Sequence, residues 1–137
     1  MMKLMMKGVS YNQLVSNLSC TISTGITYIV GKNGSGKSTF LKLCATAIEP
    51  SEGSMEYIQM VPGAGTQKVM TIEDMRKSIG YLPQEFTGFP ELSIERYIRY
   101  MATHKGIPTS HVKEVVQIWL KKTNLYSIRK KRLRTLS

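Results

Sequence analysis

The stretch Gly31-Lys32-Asn33-Gly34-Ser35-Gly36-Lys37-Ser38-Thr39 constrains this chain more than any other. It sets three glycines among small polar residues, between two segments of opposite character. Ile26-Thr27-Tyr28-Ile29-Val30 is β-branched and aromatic, which predicts a buried strand. From Lys37 to Ile48 helix formers take over, with apolar residues at Phe40, Leu41, Cys44, Ala47 and Ile48, the spacing of a helix with one buried face. A strand, a glycine-rich turn and a helix in that order force the backbone to curl tightly and present the free end of the helix.

The spacing is G-x-x-x-x-G-K-[ST], a phosphate-binding loop. Holding a triphosphate takes converging backbone N–H groups with no side chains in the way. Gly34 and Gly36 permit the left-handed conformations and the close approach. The helix then aims its unpaired N–H groups and positive dipole end at the phosphates. Lys37 is expected to reach the β- and γ-phosphates and Ser38 to ligate Mg²⁺, with Gly31, Asn33, Gly34, Ser35, Gly36 and Thr39 completing the nucleotide site. The competing reading, a flexible Gly/Ser turn, leaves the strand–helix setting unexplained.

At 137 residues the chain holds one domain at most, with room for a core. No apolar run reaches the ~18 residues of a membrane span. The Met-rich start is broken by Lys3 and Lys7 and no small-residue cleavage site follows, so no signal peptide is expected. Cys20 and Cys44 sit in apolar patterns without a C-x-x-C spacing and read as reduced core residues of a cytoplasmic protein. The net charge of +10 is local. Beyond Glu114 there is no acidic residue, and Lys121, Lys122, Arg129, Lys130, Lys131, Arg132 and Arg134 supply seven positive charges. Without those seven, twelve basic residues face nine acidic ones, a net of +3.

Read in order, residues 3–8 predict a first strand ending near Gly8, with Tyr11 in a polar turn. Leu18, Cys20 and Ile22 alternate with Ser19, Thr21 and Ser23, a half-buried strand. Glu49-Pro50-Ser51-Glu52-Gly53 stops the loop's helix, and Ser54–Met60 reads as a strand. Gly63-Ala64-Gly65 is a plain loop, since no Lys-Ser/Thr follows it. Thr71 caps a short helical turn, and Ser78–Leu82 reads as a strand ended by Pro83. Ser93 is the expected N-cap of a helix with Ile94, Tyr97, Ile98 and Met101 on one face, ended by Gly106 and Pro108. A second helix, from near Ser110, carries Val112, Val115, Val116, Trp119 and Leu120 as its packing stripe. His104 and His111 are expected in solvent. The run Arg129–Arg134 reads as a solvated helix face, with phosphate or headgroup contact as the alternative.

Tyr11, Leu18–Ile22, Gly31–Thr39, Glu49–Gly53, Ile79-Gly80-Tyr81-Leu82-Pro83-Gln84 and Arg134–Ser137, taken together, resemble an ABC transporter ATP-binding subunit over the whole chain. The phosphate loop alone signals only a P-loop protein; the I-G-Y-L-P-Q run narrows it. The resemblance implies an α/β P-loop core of the ABC ATPase type, an antiparallel β subdomain within residues 1–90, and the start of a helical subdomain over 91–137. It implies that Tyr11, 26 residues before Lys37, stacks on adenine, and that Gln84 contacts Mg²⁺ and the attacking water beside Lys37. Residues 85–91, with Phe86 and Phe89, would then either face a transmembrane permease subunit or fold back on the core.

The family continues from Leu-Ser into a Gly-Gly signature, an aspartate-ended strand, a catalytic glutamate and a switch histidine. This sequence reaches Leu136-Ser137, so the expectation is the N-terminal part of such a domain, inactive as an ATPase by itself. The implied whole is an ATPase using ATP and Mg²⁺, paired with a second ATP-binding subunit, peripheral on the inner face of the cell membrane. Export is the direction expected, from the stretch beginning at Leu92. The rivals are a soluble ABC ATPase of translation or DNA repair and a nucleic-acid module using the basic tail. Nucleic acid is not the partner expected.

Overall fold

The computed structural model describes residues 2–61, 63, 66–85 and 88–136. The chain forms two compact units, one through Tyr81 and one from Leu82. The readings placed on Ala64, Gly65, Phe86 and Ser137 lie outside the described residues.

In the first unit, strands β1 (Met2–Tyr11), β2 (Val15–Ile22), β3 (Glu52–Met60) and β4 (Gln67–Val69) form an antiparallel sheet in the order β2-β1-β3-β4. The first strand runs past its expected end because Gly8 is a bulge, not a stop. Its φ is +60°, its N–H donates to Ser19 Oγ at 2.9 Å, and the register with β2 slips between Met6 and Val9. The slip changes the inward parity, so that Leu4, Met6 and Val9 are all buried. Asn12 and Gln13, both at positive φ, turn the chain into β2. There Leu18, Cys20 and Ile22 pack on the core as the alternation predicts.

Helix α1 (Lys37–Cys44) lays Leu43, 1% exposed, against this sheet. It ends earlier than the apolar pattern extends because Thr46 adopts φ +55°, and two other elements hold that end in place. The Tyr57 hydroxyl of β3 donates to the Cys44 carbonyl at 2.9 Å. Arg76, from helix α2 (Ile72–Ser78), donates to Thr46 Oγ1 and to the Thr46 carbonyl, both at 3.2 Å. A cation at a helix C-terminus is favourable to the dipole as well. Thr71 caps α2 by accepting from the Asp74 N–H, as expected.

Tyr57→Phe leaves the Cys44 carbonyl without this donor and is expected to cost about 1–2 kcal/mol in a urea melt. Burial pushes the Cys44 thiol up to about 11 and the Tyr57 hydroxyl up to about 12, with the neighbouring ionisable group adding to each. Both pKa values are raised on folding, so the stability they confer is complete below the unfolded values of 9.0 and 10.0. It is lost as pH rises through about 11 and 12. Thermal melts across that window should fall less steeply in Tyr57→Phe than in the parent.

Two expected strands are not formed. Ile26, Tyr28 and Val30 are 84–89% exposed and belong to no sheet among the described residues. Of the expected strand Ser78–Leu82, Ser78 ends α2, residues 79–82 are irregular and Leu82 is 93% exposed. Both runs are apolar enough to be strands, but a strand exists only when a neighbour supplies its hydrogen bonds, and no described segment lies in pairing register with either.

The second unit packs α3 (Ile94–His104) against α4 (Thr109–Lys122) around Ile94, Ala102, Val112, Val116 and Leu120. Ser93 caps α3 as expected. Gly106, at φ +78°, follows its last turn. Two residues leave their expected stripes. Trp119 is 53% exposed and Met101 is exposed, while Ala102 takes the inward position on α3. A two-helix core this small buries the i, i+4, i+8 row of α4 and leaves its flank outside. The basic tail is not an α-helix, and a short 3-10 turn at Leu133–Thr135 ends it. The Ile94 and Glu95 amides donate to the Lys131 and Arg129 carbonyls, and the Leu133 and Arg134 amides donate to the Leu92 and Pro90 carbonyls. The tail therefore runs back along the approach to α3, and Arg132 and Arg134 meet Glu91 at 3.0 and 3.4 Å.

Candidate nucleotide-binding site

Gly31–Thr39 forms a tight loop in front of α1. The Ser35 N–H donates to the Lys32 carbonyl at 3.2 Å, and the Phe40 N–H to the Gly36 carbonyl at 2.8 Å. Gly34 and Gly36 hold φ of +80° and +83°, the conformations that the spacing called for. Gly36 is the N-cap residue, so no side chain occupies the end of α1, and no acidic residue lies in its first turn. The first N–H groups of a helix have no partner within it. Here they open onto a cradle of backbone.

Lys37 is turned into that cradle. Its Nζ donates to the Gly31 carbonyl at 2.8 Å and to the Lys32 carbonyl at 2.6 Å. The ammonium is thus held over the loop by two neutral acceptors, which a phosphate oxygen would replace with a stronger, charge-assisted bond. Ser38 is exposed beside it. Its hydroxyl is a hard oxygen donor of the kind Mg²⁺ accepts. No cluster of three His, Cys, Asp or Glu side chains that could hold a metal exists among the described residues.

The structure adds a partner that the motif does not contain. A Cβ on Gly36 would meet the Leu14 carbonyl at 2.5 Å, so the turn after β1 presses directly on the phosphate loop. That turn is closed by the Leu14 N–H donating to the Tyr11 carbonyl at 3.0 Å. Tyr11 ends β1 with its ring half-buried against the sheet core. Nothing in the letters around Leu14 signals this contact, because it is made by backbone. A cleft of about 590 Å³ runs between β2, the extended segment 27–30 and α1, with Leu18, Tyr28, Val30 and Phe40 among its walls. Ser35, Gly36 and Lys37 also line it. Gln84 belongs to the second unit, where it is exposed in a bend before α3.

A P-loop opening a helix beside an antiparallel sheet, followed by a separate helical unit, defines a class of ATP-binding domains, and the relatives agree. Residues 15–137 match the model of the ABC transporter family, and the chain belongs to that family. It is 29% identical over 126 residues to the cholesterol transporter ABCA5 of Rattus norvegicus, covering 91% of this chain and 7% of that protein. It is 33% identical over 110 residues to the methionine import ATP-binding protein MetN 3 of Oceanobacillus iheyensis, covering 77% of this chain and 32% of that protein. Among solved structures, a putative ABC transporter ATP-binding protein from Pyrococcus furiosus is similar at a TM-score of 0.64 and 25% identity. That match covers 98% of this chain and 63% of the other. The chain thus spans a small part of the curated relatives it matches, and its fold is part of an ABC ATPase domain.

Proposed function

We propose that this chain binds MgATP through Gly31–Thr39 as part of a transporter ATPase. The observation that carries the reading is the loop itself: two left-handed glycines, an uncapped helix N-terminus and the Lys37 ammonium turned over the backbone carbonyls. In this reading Lys37 neutralises the β- and γ-phosphates, and the backbone of Asn33–Thr39 wraps them. Ser38 holds Mg²⁺, and Tyr11 carries the adenine. The metal, when bound, spreads the charge of the phosphate oxygens. Gln84 serves as the link between the nucleotide and a transmembrane partner, and a second ATP-binding subunit completes the site.

Export is our choice of direction. The import role in the name of the Oceanobacillus protein is a property of that protein, and the two directions share this loop.

The adenine assignment is tested at Tyr11. Stacking a base on an aromatic ring is worth about 1–3 kcal/mol and tolerates any purine. Tyr11→Ala should therefore lose affinity for ATP and GTP alike in calorimetric titration, while Tyr11→Trp keeps it. Unchanged ATP affinity in Tyr11→Ala would leave the ring a purely structural residue at the end of β1.

A further inference from the structure

The basic tail and the end of α4 build a surface that neither the nucleotide site nor the helical core uses. Trp119 is 53% exposed, Ile118 43% and Tyr126 38%. At 100° per residue, Ile118 and Lys122 lie on the side of α4 away from Val116 and Leu120, with Lys121 on one flank and Trp119 on the other. Cations cover the rings. Lys122 Nζ lies 5.7 Å from the centre of Trp119, Lys121 Nζ 5.9 Å from that of Tyr126, and the Arg129 guanidinium 4.2 Å from Tyr126 on its other contact. Arg132 and Arg134 share the single carboxylate of Glu91, but Lys121, Lys122, Arg129, Lys130 and Lys131 have no carboxylate within ion-pair distance among the described residues. Glu114, one turn before Ile118, is the last acidic residue of the sequence.

We propose that this patch docks on an anionic membrane surface, with Lys121, Lys122 and Lys130 on headgroup phosphates and Ile118 and Trp119 at the boundary with the acyl chains. The charge complementarity is direct: an anionic lipid surface attracts clustered Lys and Arg. Trp and Tyr, each with an apolar body and a polar tip, settle at the headgroup level. Single-stranded nucleic acid fits less well. It would stack bases on ring faces, and Lys122 and Arg129 already lie over the Trp119 and Tyr126 rings. Ile118, moreover, has nothing to offer a phosphodiester chain. The contact is made by this chain itself, without nucleotide and without a permease, so it stands or falls apart from the ATP reading.

Trp119 is the one tryptophan of the sequence, so its fluorescence reports the contact. Vesicles of phosphatidylcholine with phosphatidylglycerol should shift its emission to the blue and bind the chain, whereas phosphatidylcholine alone should do neither. Each surface cation contributes roughly fivefold to such binding, so Lys121→Gln with Lys122→Gln should weaken it about thirtyfold. Salt should weaken it too. Trp119→Ser should bind less tightly in vesicle flotation, with circular dichroism unchanged, since the side chain is outside the core. The proposal is overturned by an unshifted emission or by equal binding to neutral vesicles. It is overturned equally if a single-stranded RNA oligonucleotide binds more tightly than the vesicles and loses that binding in the double variant.

Discussion

Lys37→Ala is expected to weaken MgATP binding about tenfold or more while leaving the fold unchanged. The side chain makes its two hydrogen bonds to exposed loop carbonyls, and water replaces those bonds when it is removed. Its value lies in what it offers an incoming ligand. A triphosphate in the cradle brings several negative oxygens next to neutral N–H groups, and Lys37 is the cation that the loop turns toward them. A charge-assisted bond of this kind is worth about twice a neutral one, and a tenfold loss corresponds to only about 1.4 kcal/mol. Lys37→Arg should not rescue binding fully, because the planar guanidinium needs more room than the point charge it replaces. Equal affinity for parent and Lys37→Ala, measured by calorimetry, would show that the loop is not where the phosphates sit.

The second large effect is on stability. Gly53→Ala is expected to cost about 2–5 kcal/mol. Gly53 opens β3 at φ +82°, and a Cβ there would fall 2.5 Å from the Lys7 carbonyl, against the backbone of the β1 bulge. The left-handed backbone alone costs an alanine about 1–2 kcal/mol, and forcing a methyl against a backbone that cannot yield adds about 1–3 more. Gly34→Ala supplies the comparison. Its φ is nearly the same, +80°, but a Cβ there meets nothing within 4 Å. Only the conformational part should appear, about 1–2 kcal/mol. Urea midpoints of the two variants should therefore separate clearly, and coinciding midpoints would remove the bulge contact from the account.

The contrast between these two glycines marks what could be read in the letters. Gly34, Gly36, Lys37 and Ser38 were legible because their spacing encodes a local turn, and local geometry follows from local sequence. The same holds for the caps at Thr71 and Ser93 and for the alternation of Leu18, Cys20 and Ile22. Gly8 reads as an end in the sequence because a bulge looks like a stop until its partner strand is known. Trp119 reads as core in the sequence because a helix's apolar stripe does not reveal how wide a face its neighbour covers. The composition of segments 26–30 and 78–82 predicts strands, yet pairing is a property of the sheet and not of the segment. The pressure of the Leu14 carbonyl on Gly36 was out of reach altogether, since any residue at position 14 offers that same oxygen.

The central claim is that MgATP sits on Gly31–Thr39, and amide NMR of the chain tests it most directly. Titration with MgATP should move the amide signals of Gly34, Ser35, Gly36, Lys37, Ser38 and Thr39 in parallel and saturably. Those of Lys121–Arg134 should stay in place, and the response should vanish in Lys37→Ala. Signals that move only along the basic tail, with the loop amides unchanged, would contradict it.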